Sequence, residues 1–180
     1  LVLPNPVDIN TPLPVEKFCG PAIRKSGIDL SAIPRDRIAE ISRFSISKDI
    51  RRQCARKAAV QLVRDNTGCN DKSAEQDSQL LPHLTLGLFA GVVRMSAQHR
   101  ITHWLAVMEP TFLRLLSRYG IYFTKAGPVV DYHGRRQPAV ANIDTVLSGI
   151  YAKRKDVWEI ITDFGNVWPL SKEARHFVFS

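Results

Sequence analysis

Residues Ile38-Ala39-Glu40-Ile41-Ser42-Arg43-Phe44-Ser45-Ile46 alternate as a strand does, with successive side chains pointing to opposite faces. The alternation predicts a strand over 38–46 with Ile38, Glu40, Ser42, Phe44 and Ile46 on one face. Ala39, Ile41, Arg43 and Ser45 fall on the other. Further along, Leu84, Leu88, Val92 and Met95 share one face of a helix over 84–99. Gly87 and Gly91 line up four residues apart on it, suited to packing or to close approach of a ligand. Thr102–Met108 reads as a short apolar strand. Pro110 then opens a helix with Phe112, Leu115, Leu116 and Tyr119 as its buried stripe and Gly120 at its close. Ile121–Phe123 and Pro128–Tyr132 resume extended structure. Residues 144–164 form a C-terminal amphipathic helix with Val146, Ile150, Val157 and Ile161 in register and Tyr151 and Trp158 as core anchors.

The segments between carry less pattern. Prolines 4, 6, 12, 14, 21 and 34 make residues 4–34 an irregular connection, with Val15–Cys19 a candidate for one helical turn. Residues 65–79 are polar and rich in turn formers, which predicts a mobile loop. Strands that alternate with helices imply an α/β fold, a largely parallel sheet with helices on its faces. A chain of 180 residues, 44% hydrophobic, fits one domain over 1–180. Leu1-Val2-Leu3 reads as the tail of a strand that begins upstream, so these residues alone are expected to leave a sheet surface open to self-association.

Charge narrows the partners. A formal net charge of +8, from 25 Lys and Arg against 17 Asp and Glu, favours anionic ligands or acidic proteins. The densest basic run, Lys48–Lys57, contains Arg51, Arg52 and Arg56 but no aromatic residue, so no stacking platform for nucleic acid is indicated. No run approaches the roughly 18–20 apolar residues of a membrane span. Cys19, Cys54 and Cys69 show no metal-ligand spacing, and their odd number suits a reducing, cytoplasmic setting.

Glu40 is the residue with the most chemistry in its placement. A carboxylate flanked by large apolar groups must be paired or put to use. Desolvation would raise its pKa toward the range of a general base at neutral pH. The plainer alternative is an edge strand, with Glu40 in water or bridged to Arg43 or a neighbour.

The Glu40-x-Ser42-Arg43-Phe44 pattern resembles the acyl-homoserine-lactone synthases and the related N-acyl amino acid synthases, branches of the GNAT acyltransferase fold. Thr102-His103-Trp104 through Met108-Glu109-Pro110, then Leu116-Ser117-Arg118-Tyr119-Gly120-Ile121, resembles the branch associated with the exosortase (PEP-CTERM) system more closely. So does Gly127-Pro128, Asp131-Tyr132-His133-Gly134 and Arg136-Gln137-Pro138. The resemblance spans residues 1–168 and implies an α+β three-layer sandwich, a mixed central sheet flanked by helices. It implies acyl transfer from a thioester to the amine of an amino acid or similar metabolite. No permanently bound cofactor is then needed, because the acyl-thioester is a co-substrate.

The resemblance also assigns roles. Glu40 is the general base, Ser42 orients the amine or the acyl carbonyl, and Arg43 balances charge or holds a substrate carboxylate. Backbone amides near Val107 and Met108 polarise the thioester, while Phe44, Leu88, Val92 and Trp104 are candidates to line the acyl chain, with ordinary core packing as the plainer role for each. Where GNAT enzymes carry a glycine-rich pyrophosphate turn, this chain has Arg52-Gln53-Cys54-Ala55. Arg51, Arg52 and Arg56 suit the acidic surface and single phosphodiester of an acyl carrier protein better than a CoA pyrophosphate. A CoA-dependent N-acetyltransferase and a non-catalytic basic binding module are the rival expectations.

Overall fold

The computed structural model describes residues 1–42 and 80–171, and of residues 80–83 the backbone alone. Among the described residues the sheet has five strands: β1 (Ile38–Ile41), β2 (His103–Met108), β3 (Thr124–Lys125), β4 (Val130–Asp131) and β5 (Arg135–Asn142). The order is β1-β2-β5-β3, with β4 also on β5. The architecture is mixed α/β, an open mixed sheet flanked by helices. β1 and β2 are parallel, with Glu40 opposite Leu105 and Ile41 opposite Ala106, and every pairing to β5 is antiparallel. The expectation of a largely parallel sheet is therefore corrected. Parallel pairing needs a crossover between the two strands. Here β4 returns into β5 through the three-residue turn Tyr132–Gly134, which forces the antiparallel sense of that pair.

Alternation along the strands separates two cores. Ala39, Ile41, Trp104, Ala106, Met108 and Ala141 face one core, and Ile38, Leu105 and Val140 face the other. The first is closed by α2 (Leu80–Gln98), α3 (Pro110–Arg118), α4 (Ile143–Lys153) and α5 (Lys155–Thr162). The second is closed by α1 (Pro14–Lys25), through Val15, Cys19 and Ile23. α1 corrects the reading of residues 4–34 as irregular. Its stripe recurs at i, i+4 and i+8, and Pro14 occupies the first helical position, where no N–H is needed. Pro21 lies within the helix at a cost of about 3 kcal/mol in a free helix, offset here by packing of this stripe on the sheet.

Two other expectations change. Residues 144–164 form two helices, broken at Arg154 (φ −144°, ψ 70°), whose guanidinium grips Asp156 at 2.6 and 2.9 Å. The break keeps Val146, Ile150, Val157 and Ile161 all buried while α5 turns to pack on α2. In α2 the buried face is Thr85, Leu86, Phe89, Val92, Val93 and Ser96, whereas Leu88 and Met95 face solvent. Among the described residues, a Cβ built on Gly87 or Gly91 has no neighbour within 4 Å. Pro110 does open α3, and Gly120 (φ +79°) follows its end against the Ile150 backbone; of the predicted stripe only Leu116 is fully buried. Strand β1 ends at Ile41, and the predicted continuation through Ile46 lies outside the described residues, as does the loop at 65–79. Val2 pairs across the outer edge of β1 in a single antiparallel bridge to Glu40, exchanging hydrogen bonds of 2.8 and 2.9 Å. None of the described helices is long and apolar enough to cross a membrane.

Candidate active site

The register of β1 places the Glu40 side chain on the α1 side of the sheet, level with Leu105. It is 6% exposed. Its Oε2 accepts a 2.7 Å hydrogen bond from the backbone N–H of Val15, at the second position of α1. Helix N-termini carry unpaired N–H groups and a partial positive charge, so the carboxylate is stabilised there. Ser42, two residues along on the same face, favours the ionised form of the same carboxylate. Burial is nevertheless the largest influence and holds the Glu40 pKa above the ordinary carboxylate value; the Val15 bond and the Ser42 side chain oppose it, and the negative charge of Glu16 adds to it. The alternative of Glu40 in water is thereby corrected: the carboxylate is inside, and a backbone amide is its partner.

The surroundings come from α1 and its approach. Glu16, at the third helical position, accepts the Leu13 N–H at 2.8 Å through Oε2. Arg35 forks onto Glu16 at 2.7 and 3.0 Å and also donates to the Thr11 carbonyl at 3.2 Å. Cys19, one turn beyond Val15, is buried, and its thiol pKa is raised by burial and then by the Glu40 charge. Sequence reasoning missed Glu16 and Arg35 because the prolines masked α1. The stripe Val15, Cys19, Ile23 behind Pro14 was the signal that could have revealed it.

Among the described residues the parallel pairing of β1 and β2 runs to Ile41 and Ala106, and β2 runs two residues further, to Met108. Val107 lies opposite Pro138, whose carbonyl turns away to accept the Ala126 N–H at 2.8 Å. This is then a non-hydrogen-bonded pair, which directs the main-chain groups of Val107 toward β1. Those of Met108 are directed to Gln137 of β5, so its amide is committed to the ladder. The Val107 side chain packs on the same α1-facing core that Glu40 borders.

The other residues expected at the site are not gathered here. Trp104 and Val92 are buried in the opposite core, Trp104 edge-on to Phe89 at 5.4 Å and bonded through Nε1 to Ser96 Oγ at 2.8 Å. Leu88 is 44% exposed and does not join them. Arg43, Phe44, Arg51, Arg52 and Arg56 lie outside the described residues. The Asp131-Tyr132-His133-Gly134 stretch is a hairpin turn, with the Gly134 N–H on Asp131 Oδ1 at 3.2 Å and His133 at φ +52°. Tyr132 stacks against Phe18 of α1 with ring centroids 4.7 Å apart. Among the described residues no group of three or more His, Cys, Asp or Glu side chains could hold a metal ion.

His103 is structural. Thr102 Oγ1 lies 2.9 Å from Nδ1 and Asn142 Nδ2 lies 3.2 Å from Nε2, while Asn142 Oδ1 accepts the Thr145 N–H that caps α4. That network assigns a neutral ring, protonated at Nδ1 and accepting at Nε2. Desolvation lowers the His103 pKa from 6.5. A depressed folded pKa contributes stability that is present above the unfolded value and lost as pH falls through the folded one. Melting temperatures from pH 7.5 down to 5 should therefore fall more steeply in the parent than in His103→Gln. Parallel curves would show that the ring is not held neutral.

Comparison of this chain with protein-family models, with curated proteins and with solved structures finds no match.

Proposed function

We propose that the protein is an N-acyltransferase of GNAT type, moving a fatty acyl group from an acyl-thioester to the amine of an amino acid or similar metabolite. The single observation that carries this reading is Glu40, a buried carboxylate with a raised pKa, beside the end of the only parallel strand pair among the described residues. An amine must lose a proton as it attacks a thioester carbonyl, and a base near neutrality is what that step requires. Glu40 takes the proton, directly or through a water. Ser42, on the same face two residues along, orients the attacking amine or the acyl carbonyl. The tetrahedral oxyanion collapses with expulsion of the donor thiolate. The strand order, with one parallel pair followed by antiparallel neighbours, is consistent with the α+β sheet that the sequence resemblance implies.

The donor we propose is an acyl carrier protein. The support is the chain's excess of 25 basic over 17 acidic residues and the basic run where a glycine cradle would stand. Carrier-bound acyl thioester should therefore outperform the matching acyl-CoA, with an advantage that shrinks as salt rises. Reversing Arg51 and Arg52 to Glu should reduce the carrier-protein reaction more than the CoA reaction. Equal losses, or indifference to salt, would remove the carrier-protein surface, and preference for acetyl-CoA would make the enzyme an ordinary N-acetyltransferase.

A second reading rests on the Val15 contact. A carboxylate that caps a helix has a structural role without catalysis, as a basic binding module on the same scaffold would retain it. Thioester turnover with a panel of amino acids, followed by release of the thiol, separates the two. Turnover abolished by Glu40→Gln supports the enzyme; a fully folded protein with no thiol release on any donor supports the module.

A further inference from the structure

Glu40 is reached from two directions by one short piece of chain. Residues 35–37 form a 3-10 turn that runs straight into β1, so Arg35 stands at one end of the strand and Glu40 near the other. Both engage the first turn of α1: Glu40 through the Val15 N–H, Arg35 through Glu16. Arg35 also reaches the carbonyls of Thr11 and Ile9, at 3.2 and 3.5 Å, and so ties down the segment that enters the helix. The Arg35 and Glu16 side chains are 23% and 18% exposed, and a bidentate fork of this kind holds direction as well as distance.

We propose that Arg35 is a positioning residue for the reaction, clamping Glu16 and the entry to α1 so that the Val15 amide stays on Glu40 Oε2 and fixes the orientation of the carboxylate. Its relevance to acyl transfer rests on Glu40 being the base. Glu16 places a like charge beside Glu40, and the guanidinium neutralises that charge where it arises. Cys19, also on α1, feels the Glu40 charge. Arg35 thus acts on both the angle and the ionisation of a carboxylate it does not touch.

The test uses the whole chain without substrate, so its result stands apart from the success or failure of the acyltransfer reading. Side-chain carboxyl carbons are titrated by NMR, with the Glu40 signal assigned by its loss in Glu40→Gln, and exchange of the Val15 amide is followed at fixed pH. Glu16→Gln should lower the Glu40 midpoint, and Arg35→Gln, leaving Glu16 uncompensated, should raise it. Arg35→Lys keeps the charge but not the fork: the midpoint should stay near the parent value while Val15 exchange accelerates about tenfold or more. If Arg35→Gln fails to fold, the Lys variant and Glu16→Gln carry the test. Unchanged Val15 exchange in Arg35→Lys overturns the positioning role whatever the midpoint does, and a Glu40 midpoint unmoved by Glu16→Gln overturns the electrostatic one.

Discussion

Glu40→Gln should lower thioester turnover by roughly two to four orders of magnitude while leaving the protein as stable as the parent at neutral pH, or more so. The amide has nearly the shape of the carboxylate, and its carbonyl oxygen can still accept the Val15 N–H, so the helix start keeps its partner. What disappears is the acceptor of the amine proton. The stability half follows from the sign of the pKa shift. Glu40 is raised above its unfolded value, so its contribution is fully present below about pH 4.5 and is lost as pH rises through the folded pKa. At neutral pH the parent bears the desolvation of a charge that the glutamine lacks. The variant's melting temperature should consequently gain on the parent's as pH rises from 4.5, then level off. Activity within a factor of two of the parent would remove Glu40 from the mechanism. A variant that loses both activity and fold would assign it the capping role alone.

Gly127→Ala should destabilise the protein by roughly 3 kcal/mol or more, which lowers the melting temperature by about 6–12 °C for a chain of this size. A Cβ at this position would lie 2.6 Å from the Ala22 carbonyl oxygen and 2.8 Å from its carbon, and φ is +131°, where side chains are strained. Both obstacles are backbone, so no rotamer change relieves them. The Gly127 carbonyl also accepts the Gln137 Nε2–H at 2.7 Å, which fixes the loop against β5. The only relief is to move α1 away from the sheet. Because Val15 is on α1, that movement withdraws its amide from Glu40, so Val15 exchange should rise with the loss of stability. Gly87→Ala is the contrast: it sits inside α2, a Cβ there meets no described residue within 4 Å, and the change should be neutral or stabilising by up to about 1 kcal/mol. A Gly127→Ala protein that melts with the parent would show that α1 is not seated on this loop.

The residue pattern by itself determined what depends on neighbours in the chain. Ile38 and Glu40 do face away from Ala39 and Ile41, because strand alternation is a property of the backbone. Pro110 and Gly120 do bracket a helix, because each acts through its own φ. Burial of Val146, Ile150, Val157 and Ile161 was legible from period, although the break at Arg154 was not. Helical spacing misplaced Leu88 and Met95, since several faces of α2 are apolar and only the neighbouring elements choose among them. Tertiary structure alone decided the rest. A run of prolines argues against a helix locally, yet α1 forms because Val15, Cys19 and Ile23 bury against the sheet and outweigh Pro21. The partner of Glu40 is 25 residues away in sequence and is a main-chain N–H, which no side-chain pattern encodes. The raised pKa follows the same logic: spacing puts the carboxylate on an apolar face, but only the helix laid over that face removes the water.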